Sequence, residues 1–149
     1  MPEIYRESSQ KTRKLNCAEG IMLKQTENNQ IREIKITFGL IVLNGEPFIA
    51  YNLRALYPFA HQIIIVEGAT PSARSIATPG GHSIDSTIQI IKEFQATEDT
   101  EHKVTLITAE DEGHVNGFWP GEKDEMSQAY AKRATGNYLW QIDTDEFYM

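Results

Sequence analysis

Asp143 and Asp145 stand two apart at the end of an apolar run, Tyr138-Leu139-Trp140-Gln141-Ile142. Alternation along an extended chain puts both carboxylates on one side as the chain leaves that run. Two hard oxygen ligands on a loop suit Mg2+ or Mn2+, which keep waters and share oxygens with substrate phosphates. A cation bridging a diphosphate stabilises the charge on a departing nucleoside diphosphate. Alone, an Asp-x-Asp pair is equally an acidic turn in a chain of net charge −7. Its place after a strand-like run gives it weight.

Other residues are candidates for the same chemistry. Glu67 closes a second apolar run, Gln62-Ile63-Ile64-Ile65-Val66. A carboxylate there can accept hydrogen bonds from a ribose or a base edge, or be a solvated strand-end acid. Asp85, in Ser83-Ile84-Asp85-Ser86-Thr87, stands at the mouth of a helix and can cap it, near a nucleotide or not. Lys123 can pair with a phosphate or be an ordinary exposed lysine. Trp119 reads as loop packing or as cover for a ligand. His61, His82, His102 and His114 have no metal-ligand spacing and read as surface or loop residues. Cys17 has no activating neighbours beyond Lys14.

The elements that position these residues are legible from Ile34 onward. Ile34–Leu43 is β-branched and apolar, a buried strand. Asn44-Gly45-Glu46-Pro47 starts a helix, with Phe48, Ile49, Leu53, Leu56 and Tyr57 at helical spacing before Pro58 ends it. The second strand, 62–66, is followed by a Pro-, Gly- and Ser-rich loop over 69–83. Ile84, Ile88, Ile91 and Phe94 predict a second helix, Lys103–Thr108 a third strand, and 109–122 another loop. Met126, Ala129, Tyr130 and Ala134 predict a third helix, with Lys132 and Arg133 in its last turn and Gly136 beyond. Tyr138–Ile142 is the fourth strand. Alternating β and α elements with near-continuous apolar strands predict a three-layer, Rossmann-like α/β/α fold with a mainly parallel sheet. In such sheets ligands bind at the carboxyl ends of the strands, where Glu67, Asp143 and Asp145 fall. Residues 1–33 read as a polar arm, with a loop at 27–30 and a short element around 21–24, and 34–149 as the α/β domain.

Composition sets bounds. Apolar residues make up 40% of the 149, enough for a core. A net charge of −7 argues against nucleic-acid binding by phosphate neutralisation and against docking on an anionic membrane. One cysteine excludes an internal disulfide and fits a reducing, cytoplasmic setting. No apolar run reaches the roughly 18 residues a membrane span needs, and the polar N-terminus does not read as a signal peptide.

The pattern resembles the family 2-like glycosyltransferases of the GT-A fold over roughly 34–149. Gly39-Leu40-Ile41-Val42-Leu43-Asn44-Gly45-Glu46 is similar to their opening strand and loop. Ile65-Val66-Glu67 is similar to their second strand, and Ser83-Ile84-Asp85-Ser86-Thr87 to their Ser/Thr-Asp-x-Thr helix start. The segment Ala134-Thr135-Gly136-Asn137-Tyr138-Leu139-Trp140-Gln141-Ile142-Asp143-Thr144-Asp145-Glu146 is similar to their Ala-x-Gly-x-(apolar)-Asp-x-Asp motif, the most specific of the four. The resemblance implies divalent-metal-dependent transfer of a sugar from a nucleotide sugar, most often a UDP-sugar, to an acceptor hydroxyl. It implies metal binding by Asp145, ribose or metal-shell contacts by Asp143, nucleoside contacts by Leu43 and Glu46, a base or ribose contact by Glu67, and Asp85 near the base.

Two features depart from the family pattern. The loop between Glu67 and Asp85 is longer, with Ala69-Thr70-Pro71 in place of a compact turn. The family's acceptor site and general base follow the Asp-x-Asp segment, so they are expected beyond Met149, and the chain reads as a donor-binding part, incomplete at its C-terminal end. Two rival readings fit the same residues. Leu139–Asp145 also resembles the strand and Asp-x-Asp of haloacid-dehalogenase-type phosphatases, although there the motif opens the fold and Phe147 stands where Thr or Val is expected. The other rival is a non-catalytic Rossmann-like binding domain. A sugar nucleotidyltransferase would need a Gly-rich, Arg-containing first loop, which Asn44-Gly45-Glu46 does not supply.

Overall fold

The computed structural model describes residues 32–146. The reading of 1–31 as an arm, with its loop at 27–30 and its element around 21–24, lies outside the described residues, as do Cys17 and Phe147. The chain divides between Glu33 and Ile34, and the unit beginning at Ile34 is the one described below.

Its order is β1 (Ile36–Val42), α1 (Phe48–Leu56), β2 (Ala60–Glu67), α2 (Thr87–Thr97), β3 (Val104–Ile107), α3 (Asp124–Ala131) and β4 (Tyr138–Ile142). Short 3-10 turns cover Tyr57–Phe59, Pro71–Ile76 and Glu110–Glu112. Among the described residues the four strands form one sheet in the order β3-β2-β1-β4, and each adjacent pair is parallel. This is the expected Rossmann-like α/β architecture, with helices on both faces of a parallel sheet.

Alternation along β2 separates the two faces. Ile63 and Ile65 join Ile49 and Leu53 of α1 and Ile91 and Phe94 of α2 in one buried cluster. Ile64 and Val66 join Met126, Ala129 and Tyr130 of α3, with Trp119, in the other. Burial of each large side chain in these layers stabilises by about 1.5–3 kcal/mol. Backbone proximity tightens the α3 face: a Cβ on Gly39 of β1 would stand 2.6 Å from the Tyr130 ring.

The ends of β1, β2 and β3 differ from the sequence expectation by one or two residues, and two helix ends move for local reasons. Ile34 and Ile84 are exposed and precede their elements. At α2 the Asp85 carboxylate accepts from Thr87 N, so the helix begins there and not at Ile84. α3 ends at Ala131, and Lys132 and Arg133 both turn to the Glu112 carboxylate instead of extending the helix. No helix among the described residues is long and apolar enough to cross a membrane.

Candidate functional site

From β1 the chain adds β2 and then β3 on one side, then returns to place β4 on the other side of β1. That reversal opens a crevice outside the carboxyl ends of β1 and β4, the usual ligand site of open α/β sheets. The parallel register sets Leu40 beside Ile142, so Asp143–Asp145 leave the sheet alongside the last residues of β1, and Leu43–Glu46 follow just beyond. A cleft of about 460 Å³ lies there. The loop after β1, Gly68–Thr70 after β2, Lys123 and Met126 at the start of α3, and Asp143–Asp145 line it. Leu43, Glu46, Asp143 and Asp145, more than ninety residues apart in sequence, thus share one cleft.

The β1 loop is held by the segment that follows β2. Asn44 adopts a left-handed conformation, φ 55°, which Asn tolerates better than most residues. Its N–H donates to Ser83 Oγ (2.9 Å), its Nδ2 donates to Ile76 O (2.7 Å), and its Oδ1 accepts from Ile84 N (2.8 Å). Gly45 N donates to Thr87 Oγ1 at 2.7 Å, and a Cβ at Gly45 would stand 2.7 Å from Val42 Cγ2. Glu46 and Asp85 close the loop reciprocally: Glu46 N donates to Asp85 Oδ2 (3.0 Å), and Ser86 N donates to Glu46 Oε1 (2.9 Å).

Asp85 therefore caps α2 and anchors the β1 loop. Burial raises its pKa, but hydrogen bonds from Thr87 and from Glu46 N outweigh that and hold the carboxyl below its ordinary value. It faces an open groove of about 660 Å³ along α2, which shares Glu46 with the strand-end cleft but contains neither Asp143 nor Asp145. The smaller cleft is the better candidate because the strand ends and both free aspartates converge on it.

Glu67 is in neither of the situations read from the sequence. It is 0% exposed. Its Oε1 accepts from Ser83 N (2.7 Å) and Ser83 Oγ (2.8 Å), and its Oε2 meets His82 Nδ1 (2.8 Å). His82 Nε2 in turn meets Glu110 Oε1 at 2.8 Å. Burial works against the imidazolium, yet hydrogen bonds to Glu67 and Glu110 prevail and raise the His82 pKa. Glu67 thus organises the loop behind the cleft, and His82, read as a loop residue, joins three segments. No spacing signal reveals this, because its partners lie 15 and 28 residues away. Trp119 is packed, not laid over the cleft: its Nε1 donates to Glu67 O and its N–H to Ala69 O, both at 2.9 Å.

Asp143 and Asp145 are exposed, and neither carboxylate has a hydrogen-bond or ion-pair partner among the described residues. Their turn is fixed from the other side. Glu146 Oε2 accepts from Asp143 N (3.1 Å), Asp143 O accepts from Glu146 N (3.0 Å), and Glu146 O accepts from buried Asn52 of α1 (2.9 Å). Asn52 is a positioning residue that helical spacing of apolar residues does not reveal. Among the described residues no group of three or more His, Cys, Asp and Glu side chains is placed to hold a metal ion. Two free carboxylates suit Mg2+ or Mn2+ all the same, since such ions often take one or two protein carboxylates and complete their shell with water and phosphate oxygens. No protein-family model matches the chain, and no curated protein matches it.

Proposed function

We propose that the chain binds a nucleoside-diphosphate sugar in the strand-end cleft, as the donor-binding part of a GT-A-type glycosyltransferase. The observation that carries the reading is the convergence of Leu43, Glu46, Asp143 and Asp145 on the crevice between β1 and β4. Asp143 and Asp145 would hold Mn2+ or Mg2+, and the bound ion would offset charge on the departing nucleoside diphosphate. Leu43 offers an apolar wall for the nucleoside, and the Glu46 backbone is held in place by Asp85. With Glu67 buried behind the loop, base and ribose selection falls to the cleft-lining residues. A UDP-sugar donor and an acceptor hydroxyl follow from the resemblance of the Asp-x-Asp segment. One cysteine in the chain accords with a reducing, cytoplasmic setting.

Calorimetric titration with UDP, GDP and UDP-sugars, with and without Mn2+, tests this on the wild type and on Asp145→Ala. Nucleotide binding that requires both the metal and Asp145 is the expected outcome. Binding indifferent to both, or none to well-folded protein, would sink the proposal.

A further inference from the structure

We infer that Lys123 is the cationic contact for a diphosphate in this cleft, so that the cleft selects a metal–diphosphate complex over a nucleoside. The inference rests on the donor-site reading above and adds the group that reads the phosphate chain. Among the described residues that line the cleft, Lys123 is the only basic side chain, and it accompanies Glu46, Asp143 and Asp145. Elsewhere among the described residues, Arg54 pairs with Glu98, Lys103 with Glu101, and Lys132 and Arg133 with Glu112. Lys123 forms no ion pair among the described residues, although two free aspartates line the same cleft. Opposite charges that share a cleft without meeting leave room for a group between them.

The charges say what that group is. Three carboxylates against one ammonium make the empty cleft net negative, so an anion enters only with a divalent cation on the aspartates. A diphosphate carries more negative charge than one divalent ion removes, and a lysine supplies a compact positive charge for the remainder. The Lys123 backbone is also well held. Four residues before it, Trp119 is 1% exposed and tied to Glu67 and Ala69. Three residues after it, Met126 is buried under the sheet. Lys123 thus stands at the mouth of α3, between two anchored residues and on the wall of the cleft, and its carbonyl accepts from Ser127 N.

The test is titration of the wild type, Lys123→Ala and Lys123→Arg with UDP, GDP, uridine, guanosine and pyrophosphate, all with Mg2+. Lys123 is exposed, and urea midpoints confirm equal folding of the three proteins. Expected for Lys123→Ala is about tenfold weaker diphosphate binding, from loss of one charge-assisted contact. Nucleoside affinity stays unchanged, and Lys123→Arg recovers most of the loss. Undiminished UDP or GDP binding in Lys123→Ala, or an equal loss for the nucleosides, overturns the inference while the donor reading stands. Lys123-dependent pyrophosphate binding with no gain from an attached nucleoside supports the inference and overturns the nucleotide-sugar reading. No binding of any probe to the folded wild type overturns both.

Discussion

The Glu67–His82–Glu110 bridge makes stability depend on pH in a calculable direction. A neutral imidazole has one N–H and can donate to only one of two carboxylates, whereas the imidazolium donates to both. The fold therefore favours the charged ring, and the His82 pKa lies above its ordinary value despite burial. A raised folded pKa contributes stability that is complete below the unfolded value of about 6.5 and is lost as pH rises through the folded value. The two arms of the bridge differ in weight. Glu110 is 44% exposed in its side chain, so its arm is worth only about 0–1 kcal/mol. Glu67 is fully buried, and removing its charged partner leaves a carboxylate oxygen unsatisfied. His82→Ala should therefore cost about 2–4 kcal/mol at pH 6, and the gap to the wild type should narrow by pH 8.5 as the native ring deprotonates. Urea unfolding followed by tryptophan fluorescence at the two pH values measures both quantities. A cost below about 0.5 kcal/mol at pH 6, within the range of ordinary surface substitutions, would refute the reasoning. So would a gap that does not change with pH.

Two further substitutions test the packing that frames the cleft. Gly39→Ala should destabilise by about 1–3 kcal/mol in urea unfolding, because the added Cβ would stand 2.6 Å from the buried Tyr130 ring. An unchanged midpoint would mean that α3 does not approach β1 so closely. Trp119→Phe should cost about 1–3 kcal/mol by leaving the Glu67 carbonyl without its indole donor, and a thermal melt equal to the wild type would exclude that bond as a stabilising contact.

The elements were legible in the sequence because their signals are local. Continuous β-branched runs mark β1 and β2, and the spacing of Ile49, Leu53 and Leu56 marks the buried face of α1. The alternation of strands and helices was enough to predict the parallel sheet, and strand-end placement picked out Asp143 and Asp145. Element ends were less legible. Ile84 continues the helical spacing but lies outside α2, whose first residue, Thr87, donates its N–H to the Asp85 carboxylate.

What only the tertiary structure decided is which strand-end residues share a cleft and which support it. Strand order brings the loops after β1 and β4 together and leaves Glu67 and Asp85 holding the loop from behind. The hydrogen bonds that do this join Asn44 to Ser83, Gly45 to Thr87 and Glu46 to Asp85, across about forty residues of chain. Periodicity reports the face a residue presents along its own element, and so it identified the walls of the sheet. A carboxylate's role depends on the donors that surround it in space, and no repeat along the chain encodes those.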